Sequence, residues 1–218
     1  MRAVRVTFTL RSPMVIPPGA KHLDALLSWA AVQQADFAQH ASPWDAQHDI
    51  GVARHTAGDD WCFMAGALEI DWLGERDKLH YTKQQKVERY ADAFMDGLLA
   101  KRPYFNGVSG STKAGSYIEP IRWTRSVTGY AVVEDYQRFS ELLPWITHIG
   151  KLHHKGFGAV KSFAVVDDEQ ANTKWMHRNL PAGTDLAGVS KTHATAMGAL
   201  VSPYWKLEQH REVLAYVG

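Results

Sequence analysis

The densest concentration of anion-seeking chemistry lies in one short loop, Gly150-Lys151-Leu152-His153-His154-Lys155-Gly156-Phe157-Gly158. Glycine lets a backbone approach a ligand closely and turn its amide hydrogens toward an anion. Lys151 and Lys155 add positive charge, and His153 and His154 add hydrogen bonding or ring stacking. Such a loop between a helix and a strand suits a sugar-phosphate backbone. The competing reading is a turn whose glycines only satisfy backbone geometry. A second stretch, residues 104–118, reads YFNGVSGSTKAGSYI and sets Tyr104, Phe105 and Tyr117 beside Ser111 and Lys113. Aromatic rings stack on unpaired bases at ~1–3 kcal/mol each, and lysine serves phosphates. The plainer alternative is a surface loop anchored by its rings.

Other chemistry is less well supported by the spacing. The chain has 11 histidines, but none falls in the paired spacing of a zinc-binding helix, and the single cysteine, Cys62, has no partner thiol. Neither a structural metal nor a cofactor is expected. His22, just before a helix, is a candidate general base for an RNA 2′-hydroxyl attacking its own phosphate, or else a residue of the helix start. Gly110-Ser111-Thr112-Lys113 lacks the spacing of a nucleotide-binding P-loop. Lys155–Val160, KGFGAV, resembles the sheet motif of the RNA-recognition module, Lys/Arg-Gly-aromatic-Gly-aromatic-Val. It departs at Ala159, where an aromatic belongs, and it follows a helix where the motif occupies the third strand. The eight tryptophans read as core or interface anchors.

The elements that must position these groups are legible from periodicity. Val4, Val6, Phe8 and Leu10 alternate with Arg5, Thr7, Thr9 and Arg11, a half-buried strand. Pro13, Pro17, Pro18 and Gly19 end it, and Leu23, Leu26, Leu27 and Ala30 mark a helix over about 22–37. Residues 38–60 give no periodic signal and read as loop, followed by an apolar strand from Trp61 to Ile70. Val87, Tyr90, Ala91, Phe94, Met95, Leu98 and Leu99 form the clearest helical stripe, started by Thr82 and Gln85 in capping-box relation and limited by Pro103. A strand over Ser126–Val133, a helix from Glu134 to about Ile146, a strand over about Phe157–Val166 and a helix over 170–179 complete the reading. Pro144 is expected to distort the end of its helix.

Without the material at 71–125, the order is strand–helix–strand repeated twice. That is an α+β, ferredoxin-like βαββαβ plan with an inserted helix and thumb hairpin between strands 2 and 3. One domain, 1–218, with an insertion at about 71–125 and a C-terminal extension at about 167–218, is the economical organisation.

Composition narrows the class. The chain has 218 residues, 45% hydrophobic and 22% charged, which excludes wholesale disorder. Its 24 basic and 23 acidic residues give a formal charge of +1, so indiscriminate coating of nucleic acid is not expected. The asymmetry is local. Over 101–126, Lys101, Arg102, Lys113, Arg122 and Arg125 face only Glu119, and 150–161 carries Lys151, Lys155 and Lys161 with no acid. Asp167-Asp168-Glu169 reads as a solvated turn. A lone cysteine suits a reducing compartment, the N-terminus reads as a strand rather than a signal peptide, and no apolar run reaches membrane-span length. A cytoplasmic protein without membrane contact follows.

Four segments together carry a family resemblance: VTFTLRSPMVIPPGAKHLDALLSWA, IGKLHHKGFGAV, WMHRNLP and GALVSPYW. Nearly the whole chain resembles the Cas-five-like (Csf-three) subunit of type IV CRISPR effector complexes, a RAMP-superfamily group. The resemblance implies a non-catalytic subunit that grips the 5′ handle of the crRNA, caps the backbone filament and contacts the PAM-side target DNA duplex. Gly150, Lys151, His153, His154, Lys155, Gly156, Phe157 and Gly158 would then form the glycine-rich loop on the RNA. Ser111, Lys113 and Tyr117 would lie on the thumb, with Lys101, Arg102, Arg122 and Arg125 along the phosphate path. The implied partners are crRNA, double-stranded target DNA, the filament subunit, the large subunit and a Cas-six-like subunit. The alternative is a metal-independent CRISPR repeat RNA endonuclease using His22 or the His153/His154 pair.

Overall fold

The computed structural model describes residues 1–16, 21–83, 94–97, 115–186, 192–204 and 206–217. Strand β1 (Arg2–Leu10) buries Val4, Val6, Phe8 and Leu10 as its alternation requires. After the short strand β2 (Met14–Val15), helix α1 (Leu23–Phe37) lays Leu23, Leu27, Ala30 and Ala31 against those side chains. Strands β3 (Arg54–Ala57), β4 (Asp60–Phe63), β5 (Glu69–Lys83) and β6 (Gly115–Val133) follow. Helix α2 (Tyr136–Leu142) adds Phe139 and Leu142 to the same core, so both helices cover one face of the sheet. Each such fully buried side chain contributes about 1.5–3 kcal/mol by leaving water.

β1 sits between two antiparallel neighbours. It pairs with β6 from Arg2↔Val133 to Phe8↔Val127, and with β7 (Val160–Asp167) from Val4↔Asp167 to Leu10↔Val160, with a bulge at Thr9/Leu10. β6 also pairs with β2 and β5. The architecture is α+β with mostly antiparallel sheets and few helices, as expected. Helix α3 (Ala171–Lys174) precedes a second sheet in which β8 (Leu180–Pro181), β10 (Arg211–Tyr216) and β9 (His193–Gly198) pair in that order. A smaller core of Cys62, Val132, Trp175, Leu180, Leu200 and Val213 lies under it.

The chain forms two compact units, one of Met1–Gly74 with Arg122–Gly218 and one of Glu75–Ile121. Within the second, the rings of Tyr81 and Tyr117 stack at 5.4 Å and 17°.

Several boundaries differ from the periodicity reading, each for a physical reason. Residues 38–60 hold a 3-10 turn (Pro43–His48) and the β3–β4 hairpin, whose four-residue strands are too short to show alternation. The strand expected over 61–70 breaks at Phe63 and resumes at Glu69. Between them, the Gly66 backbone passes so close to Lys174 that an added Cβ would lie 2.4 Å from its carbonyl oxygen. β5 then runs on to Lys83 through GERDKLHYTK, where most side chains are exposed and no hydrophobic period arises. Thr82 is therefore in a strand, and the rest of the expected second helix lies outside the described residues apart from Phe94–Gly97.

β6 begins at Gly115, not Ser126, and β7 begins at Val160, not Phe157. The Asp135 carboxylate accepts from the Arg138 amide at 2.9 Å and starts α2 at Tyr136, two residues later than expected. The end of that helix tightens into a 3-10 turn, Leu143–Trp145, at Pro144. The helix expected over 170–179 is only the single turn of α3, and beyond it Arg178 is fully buried in the core.

Candidate nucleic-acid interface

The glycine-rich loop is closed at its base by a short ladder. Val160 N donates to Thr147 O at 2.9 Å and Ile149 N donates to Gly158 O at 2.8 Å, flanking an antiparallel bridge between His148 and Ala159. Its far side is tied to the end of β1. Gly158 N donates to Pro13 O (2.9 Å), Arg11 N to Ala159 O (2.8 Å) and Ala159 N to the Ser12 hydroxyl (2.9 Å). A turn of 3-10 helix, His153–Lys155, forms the tip, entered by Leu152 at φ 59° and left by Gly156 at φ 85°.

Backbone shape explains all three glycines, Gly150 standing at φ +97° with an added Cβ 3.1 Å from Met14. Gly158 sits at φ +66°, and a Cβ there would lie 1.9 Å from the Ile149 carbonyl oxygen. Gly156 has positive φ but open space around it. The loop thus needs glycine at 158 for packing and at 156 for conformation alone.

The tip's own turn consumes part of its hydrogen-bonding capacity. The amides of Lys155 and Gly156 donate to Leu152 O and His153 O at 2.8 and 2.9 Å, and that of Gly158 to Pro13. Among the described residues, those of Gly150, His153 and His154 have no backbone acceptor. The amides available to an anion therefore lie in the first half of the loop rather than around position 155. Lys151, His153, His154, Lys155 and Gly156 are exposed, Phe157 is half-buried and Gly158 is buried.

Two cavities flank the ladder and share Ile146, Thr147 and His148. The larger, about 480 Å³, brings Arg11, His148, Lys161 and Phe163 together; the smaller, about 150 Å³, brings Trp29, Trp145, His148, Gly150 and His153 together. Among the described residues, no carboxylate lines either one. Burial lowers the His148 pKa below the usual imidazole value, and His153 and Arg11 lower it further, as an electropositive setting requires. The sequence reading missed Arg11, His148, Trp29 and Trp145. Arg11 ends an unbroken strand alternation, and Trp29 interrupts the polar face of α1; neither signal points to a ligand alone.

The insertion residues stand differently. Lys101, Arg102, Ser111 and Lys113 lie outside the described residues. Tyr117 is exposed but stacked on Tyr81. Arg122 donates to the Gly74 carbonyl at 2.8 Å with its guanidinium 5.9 Å from the Trp72 ring, and Arg125 pairs with Asp71 at 3.0 Å.

His22 does not join the loop. It lines a third cavity, of about 390 Å³, with Lys21, Asn179, Ser202, Tyr204 and His210. Its ring lies 5.1 Å from that of Tyr204, and its Nδ1 is buried with no hydrogen-bond partner among the described residues. Burial, reinforced by Arg178, depresses its pKa to about 4. Beneath it, fully buried Arg178 pairs with fully buried Asp24 at 3.1 Å and donates to the Phe63 and Ala65 carbonyls at 2.8 and 3.0 Å. The Tyr204 hydroxyl donates to the same Asp24 oxygen at 2.5 Å. Burial alone would lower the Arg178 pKa, but Asp24 outweighs it and the guanidinium stays charged.

Among the described residues, no group of three or more His, Cys, Asp or Glu is placed to hold a metal ion, and no helix is long and apolar enough to cross a membrane. The family model of CRISPR type IV associated protein Csf3 matches residues 2–216. No curated protein matches the chain.

Proposed function

Given that the chain belongs to the Csf3 family of CRISPR type IV associated proteins, we propose that it is a non-catalytic, RNA-gripping subunit of a type IV effector ribonucleoprotein. The observation that carries this reading is the anchored glycine loop between two carboxylate-free cavities. Ladder and β1 bonds hold its backbone rigid, while Lys151, Lys155, Arg11 and Lys161 surround it with positive charge. Rigid amides and cations suit phosphates rather than base edges, so sequence reading falls to guide pairing. The ligand is the 5′ handle of crRNA, and the chain caps the filament next to the PAM-side duplex, with the filament, large and Cas-six-like subunits as protein partners.

Two further features support the assignment. The strand order β7–β1–β6, with β2 and β5 both on β6 and helices α1 and α2 on one face, supports a ferredoxin-like reading of the sheet. His22 supports the non-catalytic reading, since its Nδ1 is buried and a ring whose pKa is depressed to about 4 makes a weak base.

The test is a salt titration of repeat-RNA binding. Wild-type log K falls linearly with log salt, and Lys151→Ala with Lys155→Ala makes the slope shallower by about 1.4, at ~0.7 per lost single-strand phosphate contact. No cleavage product accumulates in chelator. Unchanged affinity and slope would remove the loop from the RNA site.

A further inference from the structure

The smaller cavity beside the loop has a composition that phosphate binding does not explain. Four flat rings border it: the indoles of Trp29 and Trp145 and the imidazoles of His148 and His153. Trp29 on α1 remains 49% exposed, tilted against Trp44 at 6.1 Å, and Trp44 is 55% exposed. Trp145 is held in the 3-10 turn at Pro144 and braced by Phe37 at 5.5 Å. Leaving indole surface in water forgoes the largest apolar burial any side chain offers, and such patches mark interaction sites. At about 150 Å³ the space is well below the roughly 300–1,000 Å³ of pockets for drug-sized ligands and matches one planar heterocycle. Gly150, the first residue of the loop, lines it too.

We propose that this cavity is a stacking pocket for a single unpaired nucleobase of the RNA, with Trp29 and Trp145 as its platform. The inference rests on the RNA reading of the loop and deepens it. A nucleotide whose phosphate lies on the amides of Gly150, His153 and His154 has its base beside the indoles, because Gly150 and His153 belong to both surfaces. Charge favours this occupant over a protein segment: Lys151 and Lys155 lie on the adjoining loop, Arg11 and Lys161 across the shared His148 wall, and no carboxylate among the described residues lines either cavity. Stacking reads any base by its π face, so the pocket fixes the position of one nucleotide without choosing its identity.

The test is an abasic scan of the bound repeat RNA, read as affinity, in wild type, Trp29→Ala, Trp29→Phe and Lys151→Ala with Lys155→Ala. In wild type, one abasic position costs roughly 5- to 150-fold, the range of one aromatic–base stack. In Trp29→Ala that position costs nothing further, while Trp29→Phe retains most of the penalty. The lysine variant binds every RNA more weakly yet keeps the position-specific penalty. An abasic profile identical in wild type and Trp29→Ala overturns the pocket, even if the lysine variant shows that the loop grips RNA. Loss of both effects overturns pocket and loop together. Trp29→Ala that leaves the abasic profile intact but prevents assembly with another protein subunit assigns the patch to a protein and also overturns the proposal.

Discussion

Gly158→Ala and Gly156→Ala form a matched pair that separates packing from conformation. Both glycines have positive φ, +66° and +85°, so alanine at either costs about 1 kcal/mol or slightly more in a left-handed conformation. At Gly156 nothing lies within 4 Å of the added methyl, and the cost stops there. At Gly158 the methyl would lie 1.9 Å from the Ile149 carbonyl oxygen, which is backbone and cannot rotate away. Relief requires parting the ladder, losing Ile149 N to Gly158 O and Gly158 N to Pro13 O at about 1 kcal/mol each. Gly158→Ala should therefore lose about 3–4 kcal/mol. For a chain of this size that lowers Tm by roughly 6–16 °C, against a few degrees for Gly156→Ala. Urea unfolding followed by tryptophan fluorescence measures both. RNA affinity below the melting transition should fall for Gly158→Ala and stay close to wild type for Gly156→Ala. Equal stability losses would refute the packing argument. A destabilised Gly158→Ala that binds RNA with wild-type affinity and salt slope would refute the link from loop shape to function.

Three further outcomes follow from buried groups. Unfolded His22 titrates near 6.5 and folded His22 near 4, so the unfolded chain binds more protons between those values and stability falls as pH drops through that window. The gap is worth roughly 3 kcal/mol, and His22→Phe should flatten the acid limb of a pH–stability profile by that order; an unchanged limb contradicts the burial of this ring. Asp24→Ala leaves Arg178 charged and unpaired in the core and should cost roughly 3–5 kcal/mol by urea unfolding, whereas a loss under 1 kcal/mol would show that the pair is not buried. Burial pushes the Cys62 thiol up to about 11, so maleimide should label native protein at neutral pH far more slowly than urea-unfolded protein, and equal rates would contradict it.

The legible parts of the fold are those with one wet and one dry face. β1 and α1 sit where Val4–Leu10 and Leu23–Ala30 place them, because each buries a stripe against the other. β5 is the opposite case. Its charged stretch makes a strand by pairing with β6 while burying little, and backbone pairing leaves no trace in hydrophobic period. Arg178 was invisible for a related reason: its partners are Asp24, Tyr204 and the carbonyls of Phe63, Ala65, Asn179 and Leu200, most of them far apart along the chain and converging only in the fold. The glycine loop was legible as chemistry from its lysines and histidines in one short run, while its glycines also answer to backbone shape. Its direction was not, because only the 3-10 turn at the tip reveals which amides are already consumed. The flanking cavities draw Arg11, Trp29 and Phe163 from three separate elements, and no local spacing could join them.

The central claim is that the segment Gly150–Gly158 holds the guide's 5′ end. Crosslinking mass spectrometry on the assembled complex, with 4-thiouridine placed one position at a time through the crRNA handle, tests it most directly. Crosslinks from handle positions to His153, His154 or Phe157 are the expected result. A complex whose handle crosslinks land only on other segments or subunits, with this loop unmodified at every position, would contradict it.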